Sequence, residues 1–326
     1  LDLLLIVGST AIIYFNDKSS SPFSTYTTVD AVVKGCDSCN AVDVGDIDND
    51  GDLDFVTGSV NKQFRLYEND GTSTPFNGIT STTFGASYIV VDLKLGDMNN
   101  DGLLDIVFSA SSTGMRYIQH DGTSTPYDGA VTAITSDTAY GQEIVLADIN
   151  QDGHLDVITD DLIYLNDGIG NPFDTLTQGI TFGDEQINSS VAVKDINQDG
   201  NPDIITSYGG GGQVKLYLTD GSENYSDIKP IDASPDSISG MALAVADFDG
   251  DGGDDIYVGI IGIDRLYHND ATAAPFNTIN SEALSSSTAT RTLTSTAADF
   301  DNDGDLDIVI GDNTSSSVPN RIILNN

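Results

Sequence analysis

Residues 46 to 54 read DIDNDGDLD, five aspartates in nine positions. Like charges ~4 Å apart repel by roughly 1 kcal/mol in water and ~4 kcal/mol at the effective dielectric of a partly buried site, so a folded chain keeps such a cluster only where something offsets the repulsion. The arrangement returns as DMNNDGLLD from Asp97, DINQDGHLD from Asp148, DINQDGNPD from Asp195, DFDGDGGDD from Asp247 and DFDNDGDLD from Asp299. A solvated Asx-rich turn would account for one such cluster but not for six in one register.

Positions one, three, five and nine of each copy carry Asp or Asn. These are Asp46, Asp48, Asp50 and Asp54; Asp97, Asn99, Asp101 and Asp105; Asp148, Asn150, Asp152 and Asp156; Asp195, Asn197, Asp199 and Asp203; Asp247, Asp249, Asp251 and Asp255; and Asp299, Asp301, Asp303 and Asp307. Position six is glycine in every copy. Calcium takes about six to eight hard oxygen ligands, and a loop that curls around the ion supplies alternate side chains plus one backbone carbonyl, with glycine permitting the sharp turn. The carbonyl falls to position seven, where the residue type is free: Asp52, Leu103, His154, Asn201, Gly253 and Asp305. About six calcium ions are therefore expected. An EF-hand shares the first half of this pattern but needs a glutamate at position twelve and flanking helices. Position twelve here is Thr57, Phe108, Thr159, Thr206, Val258 or Ile310, inside an apolar run. Magnesium holds its waters too firmly for an all-protein cage.

The loops recur at intervals of 51, 51, 47, 52 and 52 residues, so one structural unit positions them. Each unit has a run of small and β-branched residues before the loop, as in AVDVG, and a second directly after it, as in LDFVTG. A third run contains a tyrosine, as in RLYEND, and a less regular fourth follows a PF or PY. Runs of this length and composition, bounded by Gly, Asn, Asp and Pro, are strands, and no helical period is sustained anywhere. Four antiparallel strands per ~50 residues, repeated about seven times, form a β-propeller. Small residues before the loops (Gly45, Gly96, Ala147, Ala246, Ala298) mark the crowded innermost strand, although Lys194 breaks the series. Tyr14, Tyr67, Tyr117, Tyr164, Tyr217 and Tyr267 recur at one place on the third strand, which fits packing between blades.

The pattern DxDxDGxxD, followed by a strand and a YxND turn, resembles the FG-GAP/VCBS-like repeat family, whose calcium-loop propeller repeats are also found in integrin α-subunit heads. The resemblance covers essentially all of residues 1–326 as one domain. It departs at position eight, where Pro202 and Asp254 replace leucine. It implies a seven-bladed propeller with calcium loops between the first and second strands, extracellular or cell-surface exposure, and a role in adhesion or assembly. The LDLLLIVG start aligns with the second half of a loop. Seven second and third strands but six first and six fourth strands therefore predict incomplete terminal blades, with the missing strands supplied by parent sequence or a neighbouring subunit.

The net charge of −39 excludes nucleic acid and anionic membrane surfaces, which need Lys/Arg patches, and no apolar stretch is long enough to insert into a membrane. Cys36 and Cys39 form a lone CxxC, too few thiolates for a zinc site, and read as a local disulfide or as two thiols according to compartment. The chain has three histidines and 12 basic residues, with no GxSxG, HExxH or phosphate loop. The expectation is a non-enzymatic, calcium-stabilised extracellular module that binds a protein or glycan on the face opposite the calcium loops. There the nonrepeating segments GCDSCN, SDTAYGQ, YGGGGQ and TSSSVPN fall. The alternatives are a structural subunit of a surface assembly and, with less to favour it, a polysaccharide lyase or glycosidase.

Overall fold

Short β-branched runs between Asp, Asn and Gly turns specify strands and offer no helical face. The computed structural model follows that pattern, with twenty-six strands and no helix among the described residues. Those are residues 2–7, 10–16, 32–33, 38–61, 63–72, 76, 81–86, 88–134, 143–159, 161–168, 172–173, 179–182, 188–208, 214–221, 225, 227–231, 240–272, 274–276, 280–284, 290–312 and 320–325.

The strands form sheets in chain order. β1 (Leu3–Val7), β2 (Thr10–Tyr14) and β3 (Val32–Val33) make a three-stranded sheet. β4 (Cys39–Gly45), β5 (Asp54–Ser59), β6 (Gln63–Tyr67) and β7 (Thr82–Ala86) make the second; β8 (Val90–Gly96), β9 (Asp105–Ala110), β10 (Gly114–Ile118) and β11 (Thr132–Ala133) the third. β12 (Val145–Ala147), β13 (Asp156–Ile158), β14 (Leu162–Tyr164) and β15 (Ile180–Thr181) form the fourth, and β16 (Asn188–Lys194), β17 (Asp203–Tyr208), β18 (Lys215–Leu218) and β19 (Asp227–Pro230) the fifth. The remaining strands are β20 (Gly240–Ala246), β21 (Asp255–Gly262), β22 (Arg265–His268), β23 (Asn280–Ala283), β24 (Thr290–Ala298), β25 (Asp307–Asp312) and β26 (Arg321–Ile323), and they share one seven-stranded sheet.

The predicted seven blades are thus corrected to six. β21 runs two residues beyond its pairing with β20 and bonds to β24, with Ile261 opposite Arg291 and Gly262 opposite Thr290. The last repeat therefore joins the sheet of its predecessor, and a separate, incomplete seventh blade does not form. A buried ionic network holds the junction. Arg321 Nε donates to Asp312 Oδ2 at 2.6 Å, and Nη2 donates to Asp264 Oδ2 at 2.9 Å and to Asp312 Oδ1 at 3.1 Å. Thr292 Oγ1 donates to Asp264 Oδ1 at 3.0 Å, and both aspartate side chains are fully buried.

The cores lie between neighbouring sheets. Val56, Phe64 and Leu66 pack with Val90, Leu93, Ile106 and Phe108 of the next sheet, and Ile205 and Leu216 pack with Leu243, Ile256 and Val258. Every residue of β5 and of β9 is buried, as second strands covered on both faces must be. The repeated tyrosines serve this packing. Tyr67, Tyr117, Tyr164, Tyr217 and Tyr267 are all at most 2% exposed. A side chain at Gly45 or Gly96 would collide with Leu104 or with Leu146 and Leu155 of the following repeat. The residue before each of these two loops thus faces position eight of the next loop.

Innermost strands are clasped across blades by carboxylates. Asp43 Oδ2 accepts from Leu95 N at 2.8 Å, Asp92 Oδ2 from Ile144 N at 2.8 Å and Glu143 Oε2 from Val191 N at 3.2 Å. Lys94 lies in the field of all three acids, and burial still pushes Glu143 up to about 7. The ring is closed by Asn16, whose Nδ2 donates to the carbonyl of Phe300 in the last loop at 2.6 Å. Cys39 is disulfide-bonded, and Cys36, the other cysteine of the chain, lies outside the described residues.

Removing one partner of a buried ion pair strands the other charge and costs on the order of 3–5 kcal/mol. Arg321→Ala is therefore expected to lower stability by about that amount in urea unfolding. Arg321→Lys should recover little, because an ammonium cannot reproduce the two-pronged contact with Asp312. A loss below about 1 kcal/mol would show that the network does not hold the shared sheet.

Candidate metal centre

Each loop begins where its first strand ends and is curled by two residues with positive φ. At position four φ is 60° at Asn49, 57° at Asn100, 60° at Gln151, 58° at Gln198, 74° at Gly250 and 62° at Asn302, and at position six it runs from 86° at Gly102 to 103° at Gly304. The curl turns the backbone N–H groups of positions five, six and seven onto the carboxylates of the same loop. In the first loop Asp50 N donates to Asp46 Oδ1 at 3.1 Å and Asp48 Oδ1 at 3.2 Å. Gly51 N donates to Asp46 Oδ2 at 3.1 Å, and Asp52 N to Asp50 Oδ1 at 3.0 Å. The other five loops repeat these bonds.

Position nine lies beneath the loop. Asp54, Asp105, Asp156, Asp203, Asp255 and Asp307 are at most 1% exposed. Oδ2 of each accepts the N–H of position two (Ile47, Met98, Ile149, Ile196, Phe248 or Phe300) at 2.9 to 3.2 Å. Oδ1 accepts the N–H of the turn after the third strand (Asn69, His120, Asn166, Thr219, Asn269 or Asn325) at 2.7 to 2.9 Å. Two such bonds leave lone pairs on each carboxylate. Burial, the leading cause at each, pushes Asp105, Asp203 and Asp255 up to about 6 and Asp156 up to about 7, and raises Asp54 as well.

The loops fall into two chemical kinds. In those starting at Asp46, Asp247 and Asp299, one oxygen each from positions one, three and five lies within 4.8 Å of the others. Three hard anionic donors converging in this way fit a hard divalent cation. In the other three loops the position-three amide donates to the position-five carboxylate: Asn99 to Asp101, Asn150 to Asp152 and Asn197 to Asp199, each at 3.0 Å. That bond partly satisfies an acid that a cation would otherwise neutralise.

Several functional residues escaped the sequence reading. Position-four amides lace consecutive loops. Asn49 Nδ2 donates to the Gly102 carbonyl at 3.4 Å and Asn100 Nδ2 to that of Gly153 at 3.3 Å, while Gln151 and Gln198 reach the carbonyls of Gly200 and Gly252. The turn after the third strand latches three of the repeats to the loop before them: Asn166 to Met98 O at 2.6 Å, Asn269 to Ile196 O at 3.1 Å and Asn325 to Phe248 O at 2.6 Å. His120 takes this role against Ile47, displaced one residue from the tyrosine by Gln119. Position seven is less indifferent than its variability implies. Side chains of Asp52, His154 and Asn201 lie against Gly71, Gly168 and Gly221, where a Cβ would collide. A further donor stands over two loops, Glu68 near Asp48, Asp54 and Asp50, and His268 near Asp249 and Asp255. The recurring YxND turn held that signal in its variable second position.

The FG-GAP-like repeat model matches residues 46–108, 97–159 and 195–258, together more than half of the chain. No curated protein sequence matches. Among solved structures, the chain is similar to an Agrocybe aegerita lectin studied for specific recognition of non-reducing terminal N-acetylglucosamine, at 17% identity and a TM-score of 0.58, covering 87% of this chain and 79% of that one. It is also similar to BBS1N, solved in complex with ARL6DN, at 12% identity and a TM-score of 0.51, covering 84% and 74%. At these identities the likeness establishes the propeller fold.

Two outcomes follow from the site. Asp54, Asp105, Asp156, Asp203 and Asp255 hold protons in the fold at pH values where the unfolded chain has released them, so folding binds protons between about pH 4 and 7. In chelator, stability should therefore fall as pH rises through that window and level off above it, as read from urea midpoints; a rise would refute the assignment. Ligand charge tunes calcium affinity, so Asp50→Ala and Asp303→Ala should each lose tighter calcium binding in calorimetric titration than Asp101→Ala. Equal losses at the three loops would contradict the division into two kinds.

Proposed function

The chain belongs to the FG-GAP-like repeat family, and from that premise we propose that it is a calcium-stabilised extracellular module that presents a protein- or glycan-binding surface. On this reading calcium fills the loops, most strongly the three with converging carboxylates, and acts as scaffold, with no catalytic part. Adhesion at a cell surface or within an extracellular assembly is the proposed setting.

The observation that carries the reading is the chemical contrast between the two faces. The acidic loops and the turns after the third strands share one face, because first and second strands meet there. The opposite face is made by the second-to-third and fourth-to-first connections. Most of the nonrepeating segments fall in 34–37, 135–142, 209–213 and 313–319, outside the described residues. Within the described part of that face, Val60, Ile89 and Ile263 are 40%, 38% and 47% exposed at such connections. Large apolar side chains held in water beside a rigid core are what a docking surface needs, whereas the loop face carries the clustered carboxylates, with Leu53 and Phe15 exposed among them. The lectin similarity lends support to a glycan as one class of ligand.

Calcium at 100 times its Kd adds ~2.7 kcal/mol per site. Millimolar calcium should thus raise the melting temperature by many degrees, and magnesium far less; an unchanged melting curve in excess chelator would overturn the calcium reading. For the surface, the wild-type chain is screened on a glycan array and on immobilised extracellular matrix proteins. Retention should be lost in the double variant Val60→Asp, Ile89→Asp with its calcium response intact. Retention that instead depends on exposed loop-face residues such as Asp70 and Asp121 would place the binding surface on the wrong side.

A further inference from the structure

The residue directly after the third-strand tyrosine, or after the Ile323 that replaces it in the last repeat, is aliphatic in four of the six loop-bearing repeats: Ile118, Leu165, Leu218 and Leu324. At the loop from Asp46 it is Glu68, which adds one more oxygen donor to an all-oxygen set. At the loop from Asp247 it is His268, and an imidazole changes the kind of donor.

His268 Nδ1 lies 3.4 Å from Asp249 Oδ2 and 3.7 Å from Asp255 Oδ2, and the three ligand atoms fall within 4.8 Å of one another. Nδ1 is shut off from solvent and makes no hydrogen bond. A buried polar atom without a partner is a standing cost of ~1–3 kcal/mol, so its position facing two carboxylates calls for an occupant. On the far side of the ring Nε2 lies 3.7 Å from Glu282 Oε1 on β23. At that distance Glu282 makes no hydrogen bond to the ring and contributes only its negative field on that side.

We propose that Asp249, Asp255 and His268 form a binding site for a divalent transition metal of the zinc type, which at this one loop takes the place of the calcium proposed for the others. Calcium is served by oxygen donors, whereas an imidazole nitrogen with two carboxylates suits zinc and its neighbours. Ligands ~2.0–2.1 Å from a tetrahedral ion stand about 3.4 Å apart, close to the separations here. The rival arrangement is a protonated His268 ion-paired with Asp249 and Glu282, which needs no metal. The inference does not require calcium in the other loops.

The test uses the full chain in saturating calcium chloride, titrated with zinc chloride by calorimetry and with cobalt chloride by visible absorption. We expect one zinc equivalent that survives millimolar calcium, with affinity at least tenfold weaker in His268→Gln, and a cobalt spectrum that loses its nitrogen-ligated bands in that variant. His268→Gln should keep the calcium-induced rise in melting temperature, which separates loss of the metal from loss of the fold. Imidazole 15N shifts of the wild-type chain give a second measurement without any variant: zinc should move Nδ1 of His268. Absence of saturable zinc binding, unchanged affinity in His268→Gln, or a silent Nδ1 signal would overturn the proposal in favour of the ion pair. Failure of calcium to stabilise the chain would bear on the proposed function alone.

Discussion

Beneath every acidic loop a carboxylate with almost no contact with water accepts one backbone N–H from the loop and another from the turn after the third strand. The second strand begins at this aspartate, so one side chain fixes where the loop ends, how the second strand enters and where the third strand turns. The same two bonds recur at Asp54, Asp105, Asp156, Asp203, Asp255 and Asp307. A buried carboxylate is tolerated only when hydrogen bonds offset its desolvation. The raised proton affinity of four of these acids measures how incompletely two N–H groups do so. The surface carboxylates of positions one, three and five face the complementary problem, repulsion at close range, which a shared cation removes.

The joints between repeats use a small vocabulary, and only some joints use all of it. Between the loops at 46, 97 and 148 all three devices occur: position-four lacing, inner-strand clasps and the latch from the turn. The joint from 148 to 195 keeps lacing and clasp, but Thr219 turns back to the carbonyl of Pro202 in its own repeat instead of latching. At the joint from 247 to 299 position four is Gly250, which has no amide to offer. There the backbone pairing of β21 with β24 and the Arg321 network take over. The fusion that reduces seven repeats to six blades therefore falls where the lacing is missing.

Much of this was legible in the sequence, and the part that was not has a physical reason. Loop positions, strand order within a repeat and the inter-blade tyrosines follow from residue types at fixed spacing, because a repeating unit must bury the same face each time. The blade number did not follow from the repeat number. Repeats are counted along the chain, whereas a blade is defined by which backbone edges bond, and two residue pairs at Ile261 and Gly262 suffice to merge two units. His268 was placed on a turn but not over a loop, since only the antiparallel register of β21 and β22 sets it above Asp249.

That register also gives the differences among the loops a spatial order. Loops at 97, 148 and 195, with an amide at position three and three carboxylates each, are consecutive along one arc of the ring. Loops at 247, 299 and 46, with five carboxylates each, become neighbours only because Asn16 of the first sheet latches onto Phe300 of the last. The stronger charge is thus gathered on the arc where the two ends of the chain meet and where the joints have exchanged side-chain lacing for a shared sheet. Repulsion between loops opens a ring most readily at its seam, and a cation that neutralises these loops closes the same seam. The most acidic loops accordingly sit at the seam, where on the proposed calcium reading a bound cation has its largest mechanical consequence for the fold.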